Sequence, residues 1–274
     1  MEIEIRDDFD LKKIVDSGQC FRPKEIRDGW FRFICGEKIL HVRQLNENLF
    51  ELDCTADDWR LWENYFDLAT DYKKIRRDVE TFAAGRSCEK FLHDAADFGA
   101  GIRILRQNPF EMLISFIISQ RKNIPAIRSS VEKICARFGQ RVDTDFGEVH
   151  LFPTVEEIFG ATEDDLTGLG LAYRKGYILD AVKKVSSGEI DLPALKNFSD
   201  TELVDTLKKI RGVGDKIANC VALFAYHRVD RAPVDVWIAR AIENDFGGEN
   251  IFDSFGVNAG ILQQYVFYFK RTTK

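Results

Sequence analysis

The chain has 274 residues, 39 Lys and Arg against 45 Asp and Glu, and a formal net charge of −6. That length can bury a sizeable core, and the apolar content of 45% and charged content of 31% are those of an ordinary globular protein. No apolar run is long enough to span a membrane, the acidic start MEIEIRDDFD does not resemble a secretion signal, and the expectation is a cytoplasmic protein, nucleoid-associated if prokaryotic.

Residues 1–98 read as a β-rich domain. A short helix near Leu11–Val15 precedes the runs WFRFIC, ILHVRQL and LFELDC, which turn at Gly36-Glu37 and Asn46-Glu47-Asn48 as an antiparallel meander does. Helices are expected over 57–68 and 87–96, and Gly99-Ala100-Gly101 is the candidate boundary. From 102 onward no segment alternates as a strand. Asn108 is a natural N-cap and Pro109 a natural first residue for NPFEMLISFIISQ, whose apolar residues run nearly all round. Helices then fit 124–138, 155–160, 163–168, 174–186, 200–210, 214–227, 235–246 and 257–270. The fold class is α+β: a small antiparallel sheet domain (1–98) and a larger helical body (99–274), itself two sub-bundles.

Charge is uneven along the chain. Residues 1–98 hold 16 basic and 22 acidic residues, whereas 99–141 hold eight basic and two acidic, and 203–231 six basic and three acidic. Two basic segments on a neutral background fit a surface facing nucleic acid, or equally an ordinary solvated face. The six cysteines form no C-x-x-C, which argues against zinc and against a four-cysteine iron–sulfur loop.

The most informative segment is Leu203–Ile242. Leu203, Leu207 and Ile210 recur at helical spacing, then Gly212-Val213-Gly214 makes a tight turn, then Ile217, Val221 and Phe224 recur again. The two glycines are expected where the backbone needs φ > 0 or another chain approaches closely. The second helix begins at the turn and presents free N–H groups, a seat for phosphate. Lys216 lies in its first turn, and Asp235, after Pro233-Val234, suits the N-cap of the next helix. Alone, each has a plainer reading: a solvated lysine and a cap. A deprotonated lysine amine can attack a sugar carbon, and a neighbouring carboxylate can offset the positive charge that develops there.

The joint pattern GVGDK-x₁₆-PVD on a helical background resembles the helix-hairpin-helix DNA glycosylase superfamily, and specifically its 8-oxoguanine DNA glycosylases, over nearly the whole chain. The resemblance implies a bifunctional enzyme: Lys216 as nucleophile, Asp235 as electrostatic partner, removal of the base, and AP lyase cleavage by β-elimination. Ser17-Gly18-Gln19-Cys20-Phe21 resembles the family's S-G-Q-x-F, and implies that the Gly18 carbonyl accepts the N7 proton which distinguishes the oxidised base. Gln263 and Phe267, four apart on the last helix, are implied to bond and stack on the base. Cys220, one turn after Lys216, is implied to form a thiolate–ammonium dipole with it.

Further out, the resemblance implies that Asn123, in Gln120-Arg121-Lys122-Asn123, enters the space of the extruded base and that Tyr173 wedges the duplex. Arg121, Lys122, Gly212, Gly214 and Trp237 complete the implied DNA contacts. Backbone carbonyls of Ile210 and Val213 are implied to hold a monovalent cation; no side-chain metal site and no other cofactor is expected. The chain departs from the eukaryotic pattern at Arg121-Lys122, at Ala126 in place of a cytosine-reading Arg, and at Trp237 in place of His. Weaker discrimination of the opposite base is therefore expected. The expected partner is double-stranded DNA containing 8-oxoguanine, with the protein a monomer and no membrane involved. The alternatives are a glycosylase/lyase for other oxidised bases and a non-catalytic DNA-binding module.

Overall fold

The computed structural model describes residues 1–273. Its first part contains β1 (Glu2–Glu4), α1 (Leu11–Asp16), β2 (Lys24–Arg27), β3 (Trp30–Cys35), β4 (Lys38–Gln44), β5 (Leu49–Leu52), α2 (Ala56–Tyr65), α3 (Tyr72–Ala83) and α4 (Glu89–Gly99). The five strands pair antiparallel in the order β1-β5-β4-β3-β2. Period-2 alternation brings Phe33, Leu40 and Phe50 onto one face. Trp62 and Phe66 cover it, with Phe33 and Phe66 edge to face at 4.9 Å. Small antiparallel sheets need such a cover to be stable in water.

The rest is helical except for one hairpin: α5 (Pro109–Ser119), α6 (Ile124–Phe138), β6 (Arg141–Thr144), β7 (Gly147–His150), α7 (Val155–Ile158), α8 (Lys175–Ser186), α9 (Asp200–Leu207), α10 (Asp215–Tyr226), α11 (Val236–Asn244), α12 (Phe252–Phe255) and α13 (Ala259–Thr272). α5 is buried from Phe110 to Ile118 and starts as its sequence predicts, with the Asn108 side chain accepting from the Phe110 and Glu111 N–H groups. It packs on α6, α8 and α10.

Four expectations need correction. The β6–β7 hairpin contradicts the absence of strands after 102. It pairs Val142 with Val149, and it covers the second face of the N-terminal sheet, where Ile34 meets Val149 and Leu151 and His41 stacks on Phe146 at 4.1 Å. Its apolar residues are few because their partners lie in another part of the chain. The segment 163–168 is a set of turns rather than a helix. Thr162 and Asp165 bond each other's backbone N–H, and such local bonds compete with a helix. Helix α3 lay unrecognised between 69 and 86, although Tyr72, Ile75, Val79 and Ala83 line one face after the Asp71 cap. With α4 it buries that face in the helical core, not on the sheet. Of the glycines in the tight turn, only Gly212 has a positive φ, +81°. Gly214 is extended, and a Cβ there would meet nothing.

Buried polar groups fix the two cores together. Arg103 donates to the carbonyls of Phe66, Asp67, Thr70 and Asp8 and to the Asp7 carboxylate. Asp67 also meets His227, at the end of α10, at 3.1 Å. Burial by itself would raise the Asp67 carboxyl, but His227 and Arg106 bring it down to about 2. The helix that carries Lys216 is thus anchored at its far end.

Candidate active site

The turn between α9 and α10 is specific to glycine at one position. The Gly212 backbone is left-handed, and a Cβ there would lie 2.2 Å from the Tyr177 ring. Val213 N–H closes the turn onto the Ile210 carbonyl at 3.0 Å, and Gln120 Nε2 donates to the Gly212 carbonyl at 3.2 Å. Gly214 then caps α10, and Asp215 opens it with a 2.6 Å ion pair to Lys208.

Lys216 follows, half-buried, with its amine 5.6 Å from the centre of the Phe116 ring. Phe116 stacks in turn on Phe224. Asp235 caps α11: its Oδ1 accepts from the N–H groups of Trp237 and Ile238 at 2.9 Å each. Burial raises the Asp235 carboxyl, while those two N–H groups and the charge of Lys216 pull the other way. Cap and charged partner of the lysine are the same carboxylate. Burial likewise pushes the Cys220 thiol up, opposed by Lys216. That direction favours a neutral thiol, not the implied thiolate.

Two connected spaces meet at this amine. A cleft of about 950 Å³ is lined by Gly18, Phe116, Gln120 to Pro125, Lys216, Asp235, Trp237, Phe267 and Arg271. A recess of about 50 Å³ beneath it is lined by Gly18, Phe116, Lys216, Cys220, Phe224, Asp235, Gln263 and Phe267. Residues more than two hundred positions apart thus share one wall. Gln263 is 4% exposed, and its Oε1 is buried without a hydrogen-bond partner. An orphaned buried amide oxygen costs roughly 1–3 kcal/mol, which a ligand donor would recover.

The loop at Gly18 has one free acceptor. The Val15 carbonyl accepts from Arg128, Asp16 from Arg271, Ser17 from Gln264 at 2.8 Å, and Gln19 from Gln107 at 3.0 Å. Among the described residues, the Gly18 carbonyl alone in this run receives no donor. Gly18 itself has φ +86°, and a Cβ there would lie 2.9 Å from the Phe267 ring. A small left-handed residue leaves the carbonyl accessible.

The outer positions divide. Arg121 (φ +51°) and Asn123 are exposed, and Asn123 caps α6 by accepting from Ala126 N–H at 2.9 Å. Lys122 is half-buried and donates to Ser130 Oγ at 2.6 Å; burial lowers its pKa, helped by Arg174. Tyr173 is 51% exposed, lies away from the pocket lining, and packs on Tyr177 and under Arg174. Trp237 is half-buried beside Arg240. Phe116, Gln264, Arg128 and Arg271 escaped the sequence reading, and Phe224 entered it only as an apolar position of the helix. Chemically, an amine beside a half-buried carboxylate in an aromatic recess suits attack on an electrophilic carbon of a flat, hydrogen-bonding ligand's attached group.

Residues 3–113 match the family model described as 8-oxoguanine DNA glycosylase, N-terminal domain, and residues 114–253 that of the HhH-GPD superfamily base excision DNA repair protein. Among solved structures, MBOgg1 in complex with a low-affinity DNA ligand is 35% identical, with a TM-score of 0.92 over 99% of this chain and 95% of that one. The Clostridium acetobutylicum 8-oxoguanine glycosylase/lyase, in complex with double-stranded DNA containing cytosine opposite 8-oxoguanine, is 33% identical, with a TM-score of 0.89 over 100% and 98%. The N-glycosylase/DNA lyase of Saccharomyces cerevisiae is 37% identical over 158 residues, 53% of this chain but only 42% of its own length. With matched models across 3–253 and similarity along its whole length, the chain belongs to the 8-oxoguanine DNA glycosylases of the HhH-GPD superfamily.

Proposed function

We propose that the protein is a bifunctional DNA glycosylase and AP lyase that excises 8-oxoguanine from duplex DNA. The observation that carries this is the single recess lined by Lys216, Asp235, Gln263, Phe267 and Gly18, a glycine whose carbonyl receives no donor among the described residues. A base must leave the stack to reach such a recess. Guanine has a lone pair at N7 where its oxidised form has a proton, so a fixed carbonyl accepts from the lesion and repels the normal base. The Gln263 amide serves the Watson–Crick edge, and the Phe267 ring stacks on the base face.

In the proposed reaction, the neutral Lys216 amine attacks C1′. The C–N glycosidic bond breaks, its electrons leave with the base, and the amine becomes bonded to the sugar, its surplus proton passing to the departing base. Asp235 offsets the positive charge on the sugar as the bond breaks. Ring opening gives a Schiff base, which acidifies the C2′ proton; loss of that proton expels the 3′ phosphate. Cys220 stands beside the lysine as a buried thiol whose pKa burial raises.

Arg121, Asn123, Tyr173, Trp237 and the α10 N-terminus at Gly212 and Gly214 form the proposed DNA-facing rim. The carbonyls of Ile210 and Val213 offer neutral oxygens only, a donor set suited to a weakly held monovalent ion. Such an ion would supply charge for a phosphate, and no step above depends on it.

Borohydride trapping on 8-oxoguanine DNA tests the reading. Wild type forms a covalent adduct and Lys216→Gln forms none; an equal adduct in both rejects it. No adduct from wild type would favour the non-catalytic binding module, and trapping only on oxidised pyrimidines the other-lesion enzyme. Ala126 leaves no guanidinium to read the opposite base, so excision opposite cytosine and adenine should differ by less than about tenfold, since one good bidentate contact is worth 1–3 kcal/mol.

A further inference from the structure

We infer that Arg271 is a positioning residue for base discrimination, holding in register the Gly18 loop and the Phe267 ring. This rests on the proposed function. Arg271 lies four residues after Phe267 on α13, so both side chains share a face. Its Nη2 donates to the Asp16 carbonyl, 255 positions earlier in the chain. Its guanidinium carbon sits 5.4 Å from the centre of the Phe267 ring and 5.6 Å from that of Tyr268. Its Nη1 would lie 3.2 Å from a Cβ on Gly18. One planar cation therefore touches the end of α1, the glycine two residues further on, and the ring across from it.

The chemistry explains why an arginine stands there. The last carbonyls of α1 have no partner inside the helix, and they carry its negative end. Arg271 satisfies one, and Arg128 the carbonyl before it. The fork of a guanidinium can donate in its own plane while its face lies on an aromatic ring, which an ammonium cannot do. Without that hold, a glycine with φ +86° has wide conformational freedom. A modest swing would turn its carbonyl from the position where it separates a donor from an acceptor. Displacements of about 1 Å at a reacting centre cost up to about a hundredfold.

The test is a ratio, because cleavage at a pre-formed abasic site needs no base reading. Excision of 8-oxoguanine, divided by abasic-site cleavage, is measured for wild type, Arg271→Gln and Arg271→Lys. The ratio should fall about tenfold or more in Arg271→Gln. Arg271→Lys, which keeps the charge and one donor, should recover part of the loss. Released-base analysis should show normal guanine gaining relative to the lesion. A loss of packing alone lowers both activities together, so a ratio equal in all three proteins overturns the inference. If Arg271→Gln does not fold, the Arg271→Lys ratio decides: unchanged overturns the inference, reduced supports it. Wild type that cleaves abasic DNA but excises no 8-oxoguanine overturns the function reading and this inference with it.

Discussion

The wall of the pocket and its rim are built on opposite principles. The wall, half-buried at Gly18 and Phe267 and buried at Gln263, is cross-tied by side chains of Gln107, of α6 and of α13. From Val15 to Gln19, among the described residues, each backbone carbonyl accepts a side-chain donor except that of Gly18. The rim has two segments in which an ordinary residue takes a left-handed backbone, Arg121, itself exposed, and Ala172, next to the exposed Tyr173. Such residues cost about 1–2 kcal/mol apiece. The wall is thus preorganised by its own chain, whereas the rim presents charge and rings for a partner to complete. The wall should govern which base reacts, and the rim how strongly DNA is held.

Asp235 gives the largest contrast short of the nucleophile. Asparagine is as good an N-cap as aspartate, so Asp235→Asn should keep the bonds to Trp237 and Ile238 and melt within about 0.5 kcal/mol of wild type. Excision should nevertheless drop about 10²- to 10³-fold, the usual effect of removing one preorganised electrostatic group. Loss of stability matching the loss of rate would make Asp235 a cap only. The working group is the carboxylate, and burial raises its pKa. Protonation as pH falls removes the charge that offsets the sugar cation, so the acid limb of the excision profile should lie above the ordinary aspartate value of about 3.9. A limb at or below that value contradicts the burial.

Gly18→Ala probes the wall itself. The new Cβ would sit 2.9 Å from Phe267, on a backbone at φ +86°. Strain of about 1–2 kcal/mol should appear in the melting temperature. Excision should fall about tenfold or more because carbonyl and ring move together. DNA affinity measured on undamaged duplex should hardly change. If affinity falls instead and excision of bound lesion does not, wall and rim are not separable.

How much of this was legible follows from where each contact lies in the chain. Lys216 and Asp235 are readable because a turn and two caps fix their local geometry, and the G-V-G and P-V-D signals are contiguous. The meander was readable from alternation, and α5 from its cap and continuous apolar run. The hairpin at 141–150 was not, because its strands expose Arg141, Asp143, Gly147 and Glu148 and bury only Val149 well. Phe116 is one apolar residue among many on α5, and nothing local says that it faces Lys216. Arg271 is least legible of all: its partner carbonyl is 255 positions away. Local chemistry is written in spacing, but a wall assembled from distant segments is not.

The rim supplies the smallest effect and the sharpest internal control. Arg121 and Lys122 are adjacent and both cationic, and their place in the sequence gives no reason to separate them. The structure does. Arg121 is exposed, and no hydrogen bond or ion pair takes its guanidinium among the described residues. Lys122 is half-buried, its amine bonded to Ser130 and its pKa lowered by burial. Neutralising a true phosphate contact reduces the salt dependence of DNA affinity by about one unit of slope. Arg121→Ala should therefore lower that slope by about one, with little change in stability. Lys122→Ala should leave the slope nearly unchanged and instead lower the melting temperature, because the Ser130 hydroxyl loses its donor. Equal slopes lost at both positions would show that Lys122 leaves Ser130 for the backbone when DNA binds, and the rim would then be a surface that rearranges around its partner.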